Sequence, residues 1–166
     1  TICIMMFSCN ISKNELTTVG KVNLEKYSGK WYEIARLPNR FEKGLECVTA
    51  TYTLRHDGKI EVINKGHKTG KLNKISKIKG VAWVPDKRFP GRLKVRFFWP
   101  FSGKYYIMDL DENYRYALVG EPSRKYLWVL SKDKHIDNDI YNRLIEKAAS
   151  YGFEIARVIK INQDCR

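Results

Sequence analysis

What this chain lacks narrows its chemistry before any motif is read. No apolar run approaches the roughly 18 residues that a bilayer-spanning helix needs, so no helical membrane span is expected. Histidine is scarce: His56, His67 and His135 are the only ones, and all three fall where turns or loops are expected. No glycine-rich phosphate loop, no nucleophile elbow and no metal-ligand spacing occurs. With no such grouping to build on, the chain reads as a binder rather than an enzyme, and no cofactor or metal is expected. Acidic residues are missing altogether between Glu61 and Asp86, while Lys65, Lys68, Lys71, Lys74, Lys77 and Lys79 fall inside that gap.

That gap belongs to a wider imbalance. The formal net charge is +13, and so cationic a surface calls for an anionic counterpart: phospholipid headgroups, acidic polysaccharide or nucleic acid. The lysine-rich segment reads either as a solvated, self-repelling loop or as an electrostatic docking patch. The 166 residues fit one domain able to bury its own core. An apolar fraction of 43% sets the chain apart from disordered sequences.

Periodicity then sets the fold class. Residues 48–54 are β-branched and alternating, 55–58 supply an Asp-Gly turn, and 59–63 return along the other side, which together make a β-hairpin. Further strand-like segments occur at 31–35, 81–84, 93–97, 105–110, 116–119 and 126–130, which brings the candidates to eight. With almost no helix between them, they predict an all-β, up-and-down antiparallel barrel of a size that holds one small ligand. One helix follows and packs on the barrel. Asp137 stands at its cap, Ile140, Tyr141, Leu144, Ile145 and Ala148 form its apolar stripe, and Gly152 ends it. Residues 153–159 read as a last short strand.

Alternation along the strands selects the inward side chains. If Tyr52 faces in, so do Ala50 and Leu54, then Val62 and Asn64, then Leu93, Val95 and Phe97. The same rule gives Tyr105 and Ile107, Ala117 and Val119, and Tyr126 and Trp128. This set is mostly apolar and aromatic, as suits a pocket for an acyl chain or another elongated apolar ligand. A barrel filled by its own side chains is the alternative, and the small residues Ala50, Ala117 and Val119 argue against it.

Gly29-Lys-Trp31-Tyr32, preceded by Asn23-Leu-Glu-Lys-Tyr27, matches the Gly-x-Trp signature that opens the first strand of lipocalins. Residues 105–111 with 114–119 resemble the second signature of that family, and 128–132 the third, with the single helix beyond. Residues 36–41 and 44–52 are similar in particular to the bacterial outer-membrane and apolipoprotein D-like branch. The resemblance runs from about residue 20 to 163 and implies a lipocalin domain over 23–166. It also implies a function: binding and transport or storage of a hydrophobic small molecule, a fatty acid or lysophospholipid, at the bacterial outer membrane. By the same resemblance the inward set above is the ligand-binding set, and Cys47 and Cys165 correspond to a pair that joins the second strand to the C-terminal tail. Lys132 stands where the family usually has an arginine over the signature indole, here Trp31. The cysteine-based enzymes of the family need a thiol inside the barrel, and Cys47 is expected outside it.

Lipocalin topology gathers alternate loops at the open end of the barrel. There they hold Arg40, Phe41 and Lys43; the 65–79 segment with Lys68 and Lys71; Phe98, Trp99 and Phe101; and Arg124 with Lys125. Cations and aromatics on one rim suit an anionic membrane surface. A polyanion or nucleic-acid module using that rim is the alternative. An OB-type barrel would have five strands and no Gly-x-Trp signature, so nucleic acid is not the expected partner. Nothing in the sequence specifies an oligomeric state. Ahead of the domain, the apolar residues 1–9 resemble the tail of a secretory leader. Met6-Phe-Ser-Cys9 loosely resembles a bacterial lipobox, which implies lipidation at Cys9 and loss of Cys3, and residues 10–22 then read as a flexible tether.

Overall fold

The computed structural model describes residues 15–165. The leader, Cys3 and the lipidation expected at Cys9 lie outside the described residues. Eight strands follow one another around the barrel: β1 (Gly29–Arg36), β2 (Leu45–Leu54), β3 (Ile60–Lys68), β4 (Lys71–Trp83), β5 (Arg92–Phe98), β6 (Phe101–Leu110), β7 (Tyr116–Gly120) and β8 (Leu127–Ser131). Each pairs antiparallel with the next, and β1 pairs with both β2 and β8, which closes the sheet on itself. This is the expected up-and-down barrel.

Alternation divides the apolar residues between two cores. Inside the barrel, Trp31, Ile107, Ala117, Val119 and Leu130 pack with Tyr27. Outside, Leu118, Leu127, Val129 and Ala35 meet Leu144 and Ala148 of the expected helix, here α2 (Asn138–Ser150). Two ion pairs fasten that helix to β6: Lys147 Nζ lies 2.7 Å and Arg143 Nη1 3.2 Å from Asp109 Oδ2. Asp137 occupies the cap position but makes no side-chain capping bond, and Gly152 takes the left-handed conformation that ends the helix, with φ +82°.

The structure corrects three expectations. Residues 153–159 are not a strand. Phe153 is buried against Gly120, where a Cβ would come within 2.7 Å of its ring, and the chain turns to seat it. A 3₁₀ turn (Ile155–Arg157) follows, and only β9 (Ile159–Lys160) pairs, on the outside of β1. The expected tether is also packed from Glu15 onward. Leu16 is fully buried, Val19 N–H donates to Ile107 O at 3.0 Å, and Glu15 pairs with Arg92 at 2.7 Å. A polar composition hid this single apolar anchor. Third, the lysine-rich segment is no loop. It forms most of the β3–β4 hairpin, turning at Thr69 and Gly70, and His67 is therefore a strand residue. Lys65 faces Lys77 directly across the strands, and the exposed Ile75 shares the outward parity of Lys77 and Lys79 while Ile78 is opposite Asn64 on the other face.

A short helix, α1 (Leu24–Tyr27), was not expected and closes the lower end; Asn23 caps it by accepting from Lys26 N–H at 3.0 Å. Trp31 is wholly buried there and donates its indole N–H to Tyr27 O at 2.7 Å. Lys132 Nζ sits 4.4 Å from the Trp31 ring centroid and donates to Ser28 O at 2.6 Å. It thus makes the cation–π contact and satisfies a carbonyl of the helix end at once. Gly29 is needed here because its φ is +96°, a left-handed conformation that other residues rarely adopt.

The C-terminal tail is strapped across the outside. Cys47 and Cys165 form a disulfide with Cα atoms 6.1 Å apart, at a bulge in β2 between Glu46 and Thr49. Next to it the Gln163 amide donates to Glu33 O at 2.7 Å and Val48 O at 2.9 Å, joining β1 to β2. Closing so long a loop is worth an upper figure of about 4–5 kcal/mol in the chain-entropy model. Replacing both cysteines by alanine should therefore lower stability by roughly 2–5 kcal/mol. Chemical denaturation of the double variant checks this, and an unchanged midpoint would mean the tail is held by Gln163 and its neighbours alone.

Candidate functional site

Because the strands alternate in direction, the connections 37–44, 69–70, 99–100 and 121–126 all emerge at the end opposite α1. A chamber of about 70 Å³ lies between that open end and the Trp31 floor, room for roughly five waters. Of the expected inward residues, Ala50, Tyr52, Val62, Asn64, Leu93, Val95, Phe97, Tyr105 and Trp128 line it. Ile107, Ala117 and Val119 face inward too but are not on the chamber wall; they are fully buried in the cluster that includes Tyr27 and Trp31. Ala117 and Val119 do not border open space, since both are fully buried among neighbouring side chains.

Tyr126 is not on a strand. It stands in the β7–β8 connection, its ring 5.9 Å from that of Trp128 and 6.4 Å from that of Phe41. These three aromatics form a stack at the mouth, with Arg40 over the outer face of Phe41. The other rim residues gather at the same end. Trp99 and Phe101, at the tip of the β5–β6 hairpin, are 82% and 77% exposed, while Lys68 and Lys71 are paired at the tip of the β3–β4 hairpin. Only Val81–Trp83 of β4 pair with β5, so the lysine hairpin stands clear of its neighbour. Lys65, Lys77 and Lys79 point away from the chamber, Lys79 forming an ion pair with Glu61 at 2.5 Å.

Several lining residues escaped the sequence reading: Tyr27, Glu33, Glu42, Val48, Thr49, Ile60, Ala82 and Leu130. Glu33 stands two residues after Trp31 on β1, Ile60 two before Val62 and Leu130 two after Trp128, so alternation could have found all three. Tyr27 and Glu42 lie off the strands and carry no periodic signal. They matter because they supply polar groups. The Tyr27, Tyr105 and Tyr52 hydroxyls form a chain, with oxygens 2.6 Å and 2.9 Å apart, and burial pushes all three phenols well above their ordinary range. They remain neutral.

Nearer the mouth, Arg36 Nη1 donates to Glu33 Oε1 at 2.5 Å, and Arg36 Nη2 donates to Glu42 O at 2.6 Å. Glu42 Oε2 accepts from Trp128 Nε1 at 3.0 Å and from Asn39 Nδ2 at 2.6 Å. The loop 37–44 is thereby pinned over the opening. Burial, and then the adjacent carboxyl of Glu42, hold the Glu33 carboxyl well above the usual carboxylate range, outweighing the attraction of Arg36. Among the described residues no three His, Cys, Asp or Glu side chains converge as a metal site would require. Cys47 and Cys165, bound to each other, are not on the chamber wall.

A closed eight-stranded barrel with one outer helix and an apolar chamber open at one end defines a β-barrel of the ligand-enclosing class. The chain belongs to the lipocalin family: a lipocalin-like domain model matches residues 22–163. It is 43% identical over 148 residues to the outer membrane lipoprotein Blc of Citrobacter freundii, covering 89% of this chain and 83% of that protein. Against the outer membrane lipoprotein Blc of Escherichia coli strain K12 the identity is 41% over the same shares. Among solved structures, insecticyanin from the tobacco hornworm Manduca sexta superposes with a TM-score of 0.71 at 19% identity, over 89% of this chain and 84% of that one. That likeness speaks for the fold.

Two predictions follow from the wall. Phe97 lies so close over Gly80 that a Cβ there would meet its ring at 2.6 Å. Phe97→Ala should widen the chamber, lower stability by about 2–4 kcal/mol and tighten the binding of a bulky apolar fluorophore, as denaturation and titration would show. Glu33 gives the second. Because its carboxyl keeps a proton in the fold that the unfolded chain releases above about pH 4.5, it makes stability fall as pH rises past that point. Melting curves of Glu33→Gln across that range should show a flatter alkaline decline than the parent protein.

Proposed function

We propose that the chain binds a single-chain lipid, a fatty acid or lysophospholipid, in the barrel and takes it up or delivers it at the bacterial outer membrane, without catalysis. The observation that carries this reading is the pairing of an apolar chamber with a rim of exposed aromatics and cations at its mouth. The relatives' name, outer membrane lipoprotein, supports the location. In this reading the hydrocarbon tail lies against Val62, Val95, Phe97 and the tyrosines, and an acidic head stays outside with Arg40, Lys68 and Lys71. Typical ligand pockets enclose about 300 Å³ or more, so a full tail enters only as the half-buried Phe97 and Trp128 swing aside. Trp99 and Phe101 reach headgroup depth while the lysines meet lipid phosphates, each worth about 1 kcal/mol near an anionic surface. Cys9 adds a lipid anchor. Nothing in the chamber groups a nucleophile with a base.

Titration with a fluorescent fatty acid or lysophospholipid tests the reading; saturable binding that unlabelled lipid competes away is expected, and its absence defeats the proposal. Flotation with phosphatidylglycerol vesicles should show binding that weakens with salt and drops at least about fivefold in the Lys68→Glu, Lys71→Glu, Trp99→Ala variant. Tight DNA binding with a steep salt slope, in a protein that takes up no lipid, would favour the polyanion alternative instead. Mass spectrometry of membrane-extracted protein that found Cys9 unmodified would remove the anchor.

A further inference from the structure

Among the described residues the chamber wall holds no lysine, arginine or histidine, in a chain with 31 lysines and arginines. What it offers instead is hydrogen-bond acceptors at two depths. Asn64 Oδ1 is buried with no partner, on the strand position paired with Ala50, which in turn pairs with Trp31. Glu33 stands two residues nearer the mouth on β1, with Glu42 reaching down to it from the loop. Arg36, on the same strand, donates from Nη1 to Glu33 Oε1 and from Nη2 to Glu42 O, while its Nε is buried without a partner. Glu33 and Glu42 both line the chamber, and burial together with the neighbouring Glu42 carboxyl holds the Glu33 carboxyl well above the usual carboxylate range. A ligand hydroxyl or amine would find acceptors waiting. An ionised carboxylate at the same depth would add a third acidic group beside Glu33 and Glu42, and among the described residues no lysine, arginine or histidine on the chamber wall meets it.

We propose that this acceptor-lined throat selects single-chain amphiphiles by their donors: the polar group lying beside Glu33, Glu42 and Asn64 is an alcohol or amine, and a carboxylate is excluded to the lysines outside. The inference rests on the reading of the chamber as a lipid site and names what that site recognises.

The test uses the full chain with N-phenyl-1-naphthylamine, a neutral apolar fluorophore, as the bound probe. Laurate, 1-dodecanol and 1-monolauroylglycerol compete for it at about pH 8, where laurate is ionised. The alcohol and the glycerol ester should displace the probe at least about tenfold more effectively than laurate. In Asn64→Leu and in Glu42→Gln, which keeps an acceptor for Trp128 and Asn39, that preference should narrow to within about threefold. Laurate competing as well as the alcohol would overturn the inference and leave the lipid site standing. A preference unchanged in both variants would do the same, since it would reflect only the lower hydrophobicity of laurate. No binding of the probe or of any competitor would overturn both readings.

Discussion

Everything in this molecule depends on β1 being paired along both edges. A barrel has no open edge only if one strand hydrogen-bonds to the first and last of its neighbours at once. β1 does so by dividing its length. Residues 29–32 pair with β2, residues 32–36 pair with β8, and a bulge between Glu33 and Ala35 changes the direction of the strand between the two. Where β1 leaves β2, the backbone would be left unpaired, and the C-terminal tail fills that gap. Gln163 bridges Glu33 O and Val48 O, Ile161 N–H donates to Ile34 O at 2.9 Å, and the disulfide holds the tail in place. The strap therefore completes the closure.

The same bulge explains why an acidic residue faces the interior. Below it Trp31 points in and Tyr32 out; at it Glu33 still points in, and the chain then turns so that Ile34 and Ala35 pack under α2. A buried carboxyl is costly unless hydrogen-bonded and paired, and Arg36 from the same strand meets that requirement while also gripping the loop above. The polar cluster at the mouth and the closure of the barrel share one stretch of β1. The floor has a comparable logic, with Tyr27, Trp31 and Lys132 locking α1 under the strands. What remains between floor and loop is the chamber, narrow because three tyrosines and Phe97 occupy most of the cross-section.

Charge is sorted by the pleat. Lys65, Lys77 and Lys79 occupy the outward positions of β3 and β4 while Val62, Asn64 and Gly80 face in. Cross-strand lysine pairs repel, but on the outer face of a hairpin water and salt screen them. The result is a cationic outer surface around a chamber wall with no cation of its own, and that separation sets both functional proposals: the exterior meets anions, and the interior meets apolar chains and hydrogen-bond donors.

Much of this was legible in the residues. Period-two alternation, an Asp-Gly turn, the Gly-x-Trp signature and a single amphipathic stripe are local signals, and they determined the barrel, the helix and much of the chamber wall. Tertiary structure decided what has no period. Whether Ala117 and Val119 border space or filler depended on the packing of the whole inner cluster, to which Tyr27 contributes from outside the strand pattern. Glu42 and Tyr126 joined the mouth from loops, and Phe153 broke a strand-like segment because a glycine across the sheet left room for its ring. Alternation fixes which way a side chain points, but only the packing of distant segments determines whether it meets a cavity, a partner or another ring.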